Sequence, residues 1–79
     1  MDKKEIEQKV KEILADKLDI DTKKITLDSH LVNDLGMDSF GSVELIYELE
    51  ENFKVEINED EMMKIKTVNG IVNYISHFK

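Results

Sequence analysis

Residues 35–40 read Leu-Gly-Met-Asp-Ser-Phe and lead into an amphipathic run, residues 41–53, around which the rest of the chain is organised. Gly36 is typical of a turn, and Asp38 is predicted to cap the helix by accepting backbone N–H bonds, an effect worth about 1 kcal/mol. Ser39 then occupies the first helical position, where we expect its hydroxyl to be exposed. Because the positive end of the helix dipole lies behind it, a phosphate ester on this hydroxyl would be electrostatically favoured.

The helix predicted from Ser39 to about Asn52 carries three rows of side chains, because successive residues are turned by about 100°. One row is an ordinary core face: Leu45, Ile46, Leu49 and Phe53. A second row, the apolar stripe, lies roughly 130° away and consists of Phe40, Val43 and Tyr47. Beside it runs the acidic row: Glu44, Glu48 and Glu51. Since a helix at the edge of a bundle needs only one apolar face, the stripe and the row together predict a docking surface.

The composition predicts one small soluble domain, residues 1–79. The absence of cysteine excludes disulfides and cysteine-based metal sites. The apolar runs are too short for a membrane span and the N-terminus does not resemble a signal segment, so we expect a cytoplasmic protein without membrane insertion. The spacing of Asp19, Asp21 and Asp28 does not match a calcium loop, and no metal site is predicted.

The charge distribution indicates what kind of partner the chain binds. The net charge is −7, and residues 25–79 hold eleven acidic residues against four lysines. Phosphates would be repelled by this surface, so nucleic acid is disfavoured as a partner and basic protein surfaces are favoured.

The chain before Ser39 is predicted to form one helix and one long connection. Apolar residues at helical spacing indicate a helix over Lys3–Leu18, capped by Asp2. The connection over residues 19–37 is long for a compact domain and is expected to cross the core, with a short helical turn near Ser29–Val32.

Two helices are predicted after residue 53. Asn58 with Glu61 resembles a capping box and opens a short helix over Glu59–Lys64. Thr67 caps the last helix. The apolar side of this helix is predicted to consist of Val68, Ile71, Val72, Ile75 and Phe78. Three longer helices and one short one, with a long loop between the first two, predict an all-α four-helix bundle.

The stretch around Ser39 resembles the acyl carrier proteins, and the resemblance extends over roughly residues 6–75. In that family the matching serine carries 4′-phosphopantetheine through a phosphodiester, attached from coenzyme A by a phosphopantetheinyl transferase. The resemblance implies that Asp38 assists recognition and metal-assisted transfer of the arm. It also implies a monomeric, non-catalytic carrier that presents acyl thioesters to acyl-transferring and acyl-modifying enzymes of fatty-acid or related lipid and polyketide biosynthesis.

The same resemblance implies which residues meet partners. The recognition helix of the family matches Glu44, Glu50 and Glu51, and its apolar contact positions match Val43 and Tyr47. Together with Phe40 of the apolar stripe and Glu48 of the acidic row, the residues expected to bind partners are Phe40, Val43, Glu44, Tyr47, Glu48, Glu50 and Glu51. We further expect a pocket for the acyl chain between the second and third helices, lined by Leu49, Phe53, Met62 and Ile65.

Three other functions are compatible with parts of the sequence. Phe40 and Gly41 resemble the corresponding positions of D-alanyl carrier proteins, so a D-alanyl or other aminoacyl carrier is an alternative. An acidic helical interaction module without a prosthetic group is an alternative of another class. A hydrolase with Ser39 as nucleophile would need an oriented base, and neither His30 nor His77 lies in a recognisable triad pattern.

Overall fold

Each helix begins at a polar side chain that accepts a backbone N–H from the first turn. The computed structural model describes residues 2–78, and its helices are α1 (Lys3–Leu18), α2 (Ser39–Phe53), α3 (Glu59–Met63) and α4 (Val68–Ser76). The capping side chains are Asp2, Asp38, Asn58 and Thr67. These caps satisfy donors that have no partner within the helix, which is why they determine where each helix starts. The predicted starts are confirmed, and α3 ends one residue earlier than predicted, at Met63.

The helices enclose one apolar core, in which α1 packs against α2 and α4, and α2 packs against α3. The largest fully buried side chains are Phe53, Ile6, Leu14, Leu45, Ile46, Leu49, Ile71, Ile75, Val10, Val68 and Val72. The predicted all-α four-helix architecture is confirmed, and residues 2–78 contain no strand beyond an isolated bridge between His30 and Thr67. None of the helices in this range has the length and apolar character needed to cross a membrane.

The prediction that Phe78 belongs to the apolar side of α4 is wrong. The helix ends at Ser76, so Phe78 no longer follows the helical spacing that brings Val68, Val72 and Ile75 into the core. Phe78 is 48% exposed, and its ring lies edge-on to that of Tyr74, with ring centroids 5.4 Å apart.

The long connection between α1 and α2 is bonded to the start of α4. The N–H groups of Val68 and Asn69 donate to the carbonyls of Ser29 (3.2 Å) and Leu27 (2.9 Å). A 3-10 turn over Thr22–Lys24 was not predicted. The turn expected near Ser29–Val32 lies slightly later, over residues 31–35. These bonds hold the connection against the bundle immediately before the helix that begins with Ser39.

Candidate functional site at the start of helix α2

Ser39 is the first residue of α2, and its side chain is exposed. The preceding Asp38 accepts the N–H of Gly41 through Oδ1 at 2.7 Å, and its carbonyl accepts both the N–H and the hydroxyl of Ser42 at 3.0 Å. Within residues 2–78, no hydrogen bond engages the hydroxyl of Ser39 itself. The cap therefore holds the backbone at Ser39 in place and leaves the hydroxyl accessible.

Gly41 leaves room for the capping carboxylate. A Cβ at this position would lie 3.2 Å from Asp38 Oδ1 and 3.4 Å from Met37 Cγ, closer than most such contacts. An alanine here would require the Asp38 carboxylate to shift by a few tenths of an ångström, which this exposed side chain can do. Gly41 therefore leaves open space next to Ser39, but the bond from its N–H to Asp38 does not require a glycine.

A turn centred on His30 positions the segment that enters α2. His30 Nδ1 accepts the N–H groups of Val32 (3.2 Å) and Asn33 (3.0 Å), and Asp34 Oδ2 accepts the N–H of His30 at 2.7 Å. The turn ends at Gly36, whose φ of 73° lies in the left-handed region that favours glycine. This reciprocal arrangement resembles a capping box, with His30 in the place of the usual Ser or Thr and the returning carboxylate four residues on instead of three.

The same segment is joined to the connection between α3 and α4. Leu31 donates its N–H to the carbonyl of Lys66 at 2.8 Å and accepts the N–H of Met37 at 2.9 Å. Met37 is 3% exposed and anchors the chain two residues before Ser39. The position of the serine therefore depends on contacts from two separate parts of the sequence.

An apolar cavity of about 170 Å³ opens beside Ser39. It is lined by Leu31, Val32, Met37, Asp38, Ser39, Ser42, Leu45, Met62, Met63, Ile65 and Lys66. Of the four residues predicted for an acyl pocket, Met62 and Ile65 line this cavity, whereas Leu49 and Phe53 do not. Both of the latter are 0% exposed, because they lie further along α2 and face the central core. The space next to the serine is therefore formed by the first turns of α2, by α3 and by the loop before α2.

Replacement of Gly70 by Ala is expected to disturb one wall of this cavity. A Cβ on Gly70 would lie 2.7 Å from Ile65 Cγ2, so Ile65 or the start of α4 must shift. Overpacking of this kind costs about 1–3 kcal/mol, partly offset by about 0.5–1 kcal/mol from the better helix propensity of alanine. We expect a lower midpoint of urea unfolding for Gly70→Ala.

Gly41→Ala provides the matched control, since Gly41 and Gly70 are both the third residue of their helix, and its new Cβ meets atoms no closer than 3.2 Å. Its free energy of unfolding should fall by less than about 0.5 kcal/mol or rise slightly, because the better helix propensity of alanine offsets the small shift of Asp38. Equal losses of stability in the two variants would contradict the assignment of Ile65 as the obstructing side chain.

The predicted docking surface lies on the solvent side of α2. Phe40 is 74% exposed and Tyr47 is 59% exposed, while Val43 between them is half-buried. Glu44 and Glu51 of the acidic row are exposed, and Glu48 is partly exposed. Two large apolar rings thus stand in solvent beside carboxylates, an arrangement more typical of a contact surface than of a solvated helix face.

Glu50 is placed differently from the other predicted partner-binding residues. Its Oε2 accepts the N–H of Ile57 at 2.8 Å, a bond between α2 and the segment that enters α3. Glu50 lies about 120° around the helix from the acidic row by helical geometry. The structure therefore gives this carboxylate a role in holding the turn after α2, and the acidic row itself contains only Glu44, Glu48 and Glu51.

Sequence reasoning missed the contact that α1 makes with the acidic row. Lys17 Nζ lies 3.5 Å from Glu44 Oε1 and 3.2 Å from Glu48 Oε1. Burial lowers the pKa of Lys17, but the hydrogen bond to Glu48 and the charges of Glu48 and Glu44 outweigh that effect and raise it above the ordinary value of 10.5. The stabilisation from these pairs is therefore complete below pH 10.5 and is lost as the pH rises through the raised pKa.

Among residues 2–78, no base is hydrogen-bonded to the Ser39 hydroxyl, so the described part of the chain shows no partner that activates it as a nucleophile. His30, the nearer histidine in sequence, uses Nδ1 to accept two N–H groups within its own turn. An exposed primary alcohol at a helix N-terminus, with an apolar cavity next to it, fits attachment of a phosphate ester instead, because the orphan N–H groups and the dipole favour the negative charge.

Comparison with known proteins agrees with the attachment of a phosphate ester to this chain. The family model described as "Phosphopantetheine attachment site" matches residues 8–75. This chain belongs to the phosphopantetheine-binding acyl carrier proteins. It is 47% identical over 68 residues to an acyl carrier protein of Clostridium acetobutylicum, covering 86% of this chain and 88% of that protein. The fold is similar to that of a proposed acyl carrier protein of Mycobacterium tuberculosis, with a TM-score of 0.88 and 31% identity over 94% of this chain and 99% of the other.

Membership of this family establishes the prosthetic group and the absence of catalysis. Acyl carrier proteins bind 4′-phosphopantetheine covalently and are not enzymes, so this chain is a non-catalytic carrier. The acyl carrier works with a phosphopantetheinyl transferase and with enzymes that handle acyl groups. The expectations for family, fold, cofactor and non-catalytic role are thereby confirmed.

Proposed function

We propose that Ser39 is the attachment point of 4′-phosphopantetheine and that Asp38 assists recognition and metal-assisted transfer of the arm. The observation that supports this most is the exposed, unengaged hydroxyl at the first position of α2, held in place by the Asp38 cap at 2.7 Å. When attached, the arm supplies a thiol that holds acyl groups as thioesters. The residues of this chain orient the attachment point, favour the phosphate charge and offer apolar space beside it.

Incubation with coenzyme A and a purified phosphopantetheinyl transferase tests this proposal. We expect the intact mass of the protein to increase by one phosphopantetheine group. If the mass does not change under conditions in which another carrier protein is fully modified, the proposed attachment of the arm at Ser39 is wrong.

We propose that partners dock on the apolar stripe and the acidic row. Exposed rings at Phe40 and Tyr47 can enter apolar recesses of a partner, and the carboxylates attract basic surfaces and increase the rate of association. In this proposal the carrier acts as a cytoplasmic monomer and binds neither nucleic acid nor membranes.

The pathway proposed for this carrier is fatty-acid or related lipid or polyketide biosynthesis. The relative from Clostridium acetobutylicum, which is named an acyl carrier protein, supports an acyl cargo, whereas Phe40 and Gly41 retain the likeness to D-alanyl carriers. Loading of the modified protein by purified acyl-activating and D-alanine-activating ligases separates the two. Efficient loading by the D-alanine ligase, with none by the acyl ligases, would overturn the proposed pathway.

We also propose that the cavity beside Ser39 receives the first part of the acyl chain. Its apolar wall is formed mainly by Leu31, Met37, Leu45, Met62 and Ile65. Each buried methylene contributes about 0.8 kcal/mol, and 1 kcal/mol shifts the melting temperature of a domain of this size by roughly 4–8 °C. The melting temperature should therefore rise by about 3–6 °C for each methylene that the cavity buries, relative to the modified protein without an acyl group. A flat series would exclude an interior site for the chain.

A further inference from the structure

A lysine from another helix lies against the acidic row. Lys17 is close to the end of α1, and its ammonium group contacts Glu44 at 3.5 Å and Glu48 at 3.2 Å. The Lys17 side chain is 12% exposed, whereas the carboxylate-bearing side chains are 51% and 41% exposed. The stem of the lysine is thus packed between α1 and α2, and its charged end emerges beside the two carboxylates.

The three carboxylates of the acidic row are therefore not equivalent. Glu44 and Glu48 share one cation from the chain itself, while Glu51 has no ion-pair partner among residues 2–78. Lys17 carries its positive charge throughout the neutral range, as any lysine of ordinary pKa does, and its contacts with Glu48 and Glu44 raise its pKa further. A basic partner thus meets a surface whose first two carboxylates are partly neutralised and whose last one, one turn of helix further on, is not.

We propose that Lys17 determines the specificity of the docking surface by acting as an internal competitor for partner cations at Glu44 and Glu48. This inference rests on the proposed docking of basic enzymes on α2. It assigns the main electrostatic contact to Glu51 and favours partners whose basic residues lie over the C-terminal half of the helix. Lysine and arginine side chains placed over the N-terminal half have to share the carboxylates with Lys17 or displace it.

The charges involved are close enough for this competition to be measurable. A partner cation that bonds to Glu44 or Glu48 comes within a few ångströms of the Lys17 ammonium group, well inside the Debye length of about 8–10 Å at physiological ionic strength. The lysine is held there by packing of its stem, so it cannot simply swing away as a solvated surface lysine would. Removal of its charge should tighten binding of basic partners, and high salt should reduce the gain.

Titration of a purified phosphopantetheinyl transferase against the labelled carrier tests the proposal, with binding followed by fluorescence anisotropy. We expect Lys17→Gln to lower the Kd about three- to tenfold at low ionic strength. Lys23→Gln is the matched control, because it removes one positive charge from an exposed site on the 3-10 turn. It should change the Kd by less than about 1.5-fold. The gain from Lys17→Gln should disappear when Glu44→Gln and Glu48→Gln are added.

A parallel titration of Glu51→Gln distinguishes failure of this inference from failure of the docking proposal. If Glu51→Gln weakens binding and Lys17→Gln leaves it unchanged, the lysine is structural only and the inference is wrong. If Lys17→Gln weakens binding, Lys17 contacts an acidic group of the partner, which also overturns it. If neither variant changes the Kd, the docking surface itself is misassigned. Lys17→Met, which keeps the packed stem, replaces Lys17→Gln in the titration should the glutamine variant not fold.

Discussion

Ser39→Ala is expected to abolish the gain in mass that follows incubation with coenzyme A and a phosphopantetheinyl transferase. The substitution removes the hydroxyl oxygen that would form the phosphodiester. It should leave the packing of the core unchanged, because the side chain is exposed. The loss should be complete within the detection limit of intact-protein mass spectrometry, with no change in the circular dichroism spectrum.

Ser42→Ala is the matched control for this loss. Ser42 lies one turn further along α2 and also lines the cavity beside Ser39, but its hydroxyl donates to the Asp38 carbonyl at 3.0 Å. This variant should still gain one phosphopantetheine group. Modification of Ser39→Ala, or loss of modification in Ser42→Ala with the fold intact, would show that Ser39 is not the attachment site.

Reversal of two charges in the acidic row, Glu44→Lys with Glu51→Lys, is expected to reduce kcat/KM of the transferase for the carrier by about ten- to a hundredfold at low salt. Both side chains are exposed, so the variant should retain the fold. Glu44 does lose its contact with Lys17 at 3.5 Å, but an exposed pair of this kind contributes less than about 1 kcal/mol. Steady-state kinetics at several salt concentrations measure the effect, which should shrink as the charges are screened.

The control for this pair is Glu12→Lys with Asp16→Lys, which changes the net charge by the same amount on exposed positions of α1. It should reduce kcat/KM by less than about threefold, because these positions lie on the solvent side of another helix. If both double variants slow the transferase equally, only the overall charge matters and α2 is not the docking surface. Early melting of the α2 variant would instead show that these glutamates are structural.

The helices could be predicted closely from the sequence because their starts depend on local chemistry. Asp2, Asp38, Asn58 and Thr67 each accept an N–H from the first turn of the helix that follows them. Such caps involve residues three positions apart and need no tertiary contact. The apolar residues of α1 and α2 are also visible in the sequence, because the face of each helix that packs into the core repeats at helical spacing.

The connection before α2 could not be predicted in the same way. His30 replaces the usual capping residue of a turn, and Leu31 bonds to Lys66, which lies far away in the sequence. Periodicity does not reveal pairs of this kind, because each partner is ordinary in its own neighbourhood. The sequence places Phe78 on the apolar side of α4 for a related reason: its spacing continues the apolar pattern, but the helix ends at Ser76.

The site was only partly predictable for similar reasons. Ser39, Asp38 and the apolar stripe follow from helical geometry, whereas the cavity beside the serine depends on how the loop before α2 packs against α3. The sequence does carry a signal for Lys17, since helical spacing places it among Ile13, Leu14 and Val10 on the apolar side of α1. A lysine whose side chain is largely buried on an apolar helix face needs a carboxylate to pair with its charge, and Glu44 and Glu48 supply two.

Fragmentation mass spectrometry of the modified wild-type protein tests the central claim most directly, because it locates the attached group without any substitution. We predict that the phosphopantetheine mass lies on the peptide that contains residues 38–42, and that fragment ions assign it to Ser39. An assignment to Ser29, Ser42 or Ser76, or to any residue outside the start of α2, would contradict it.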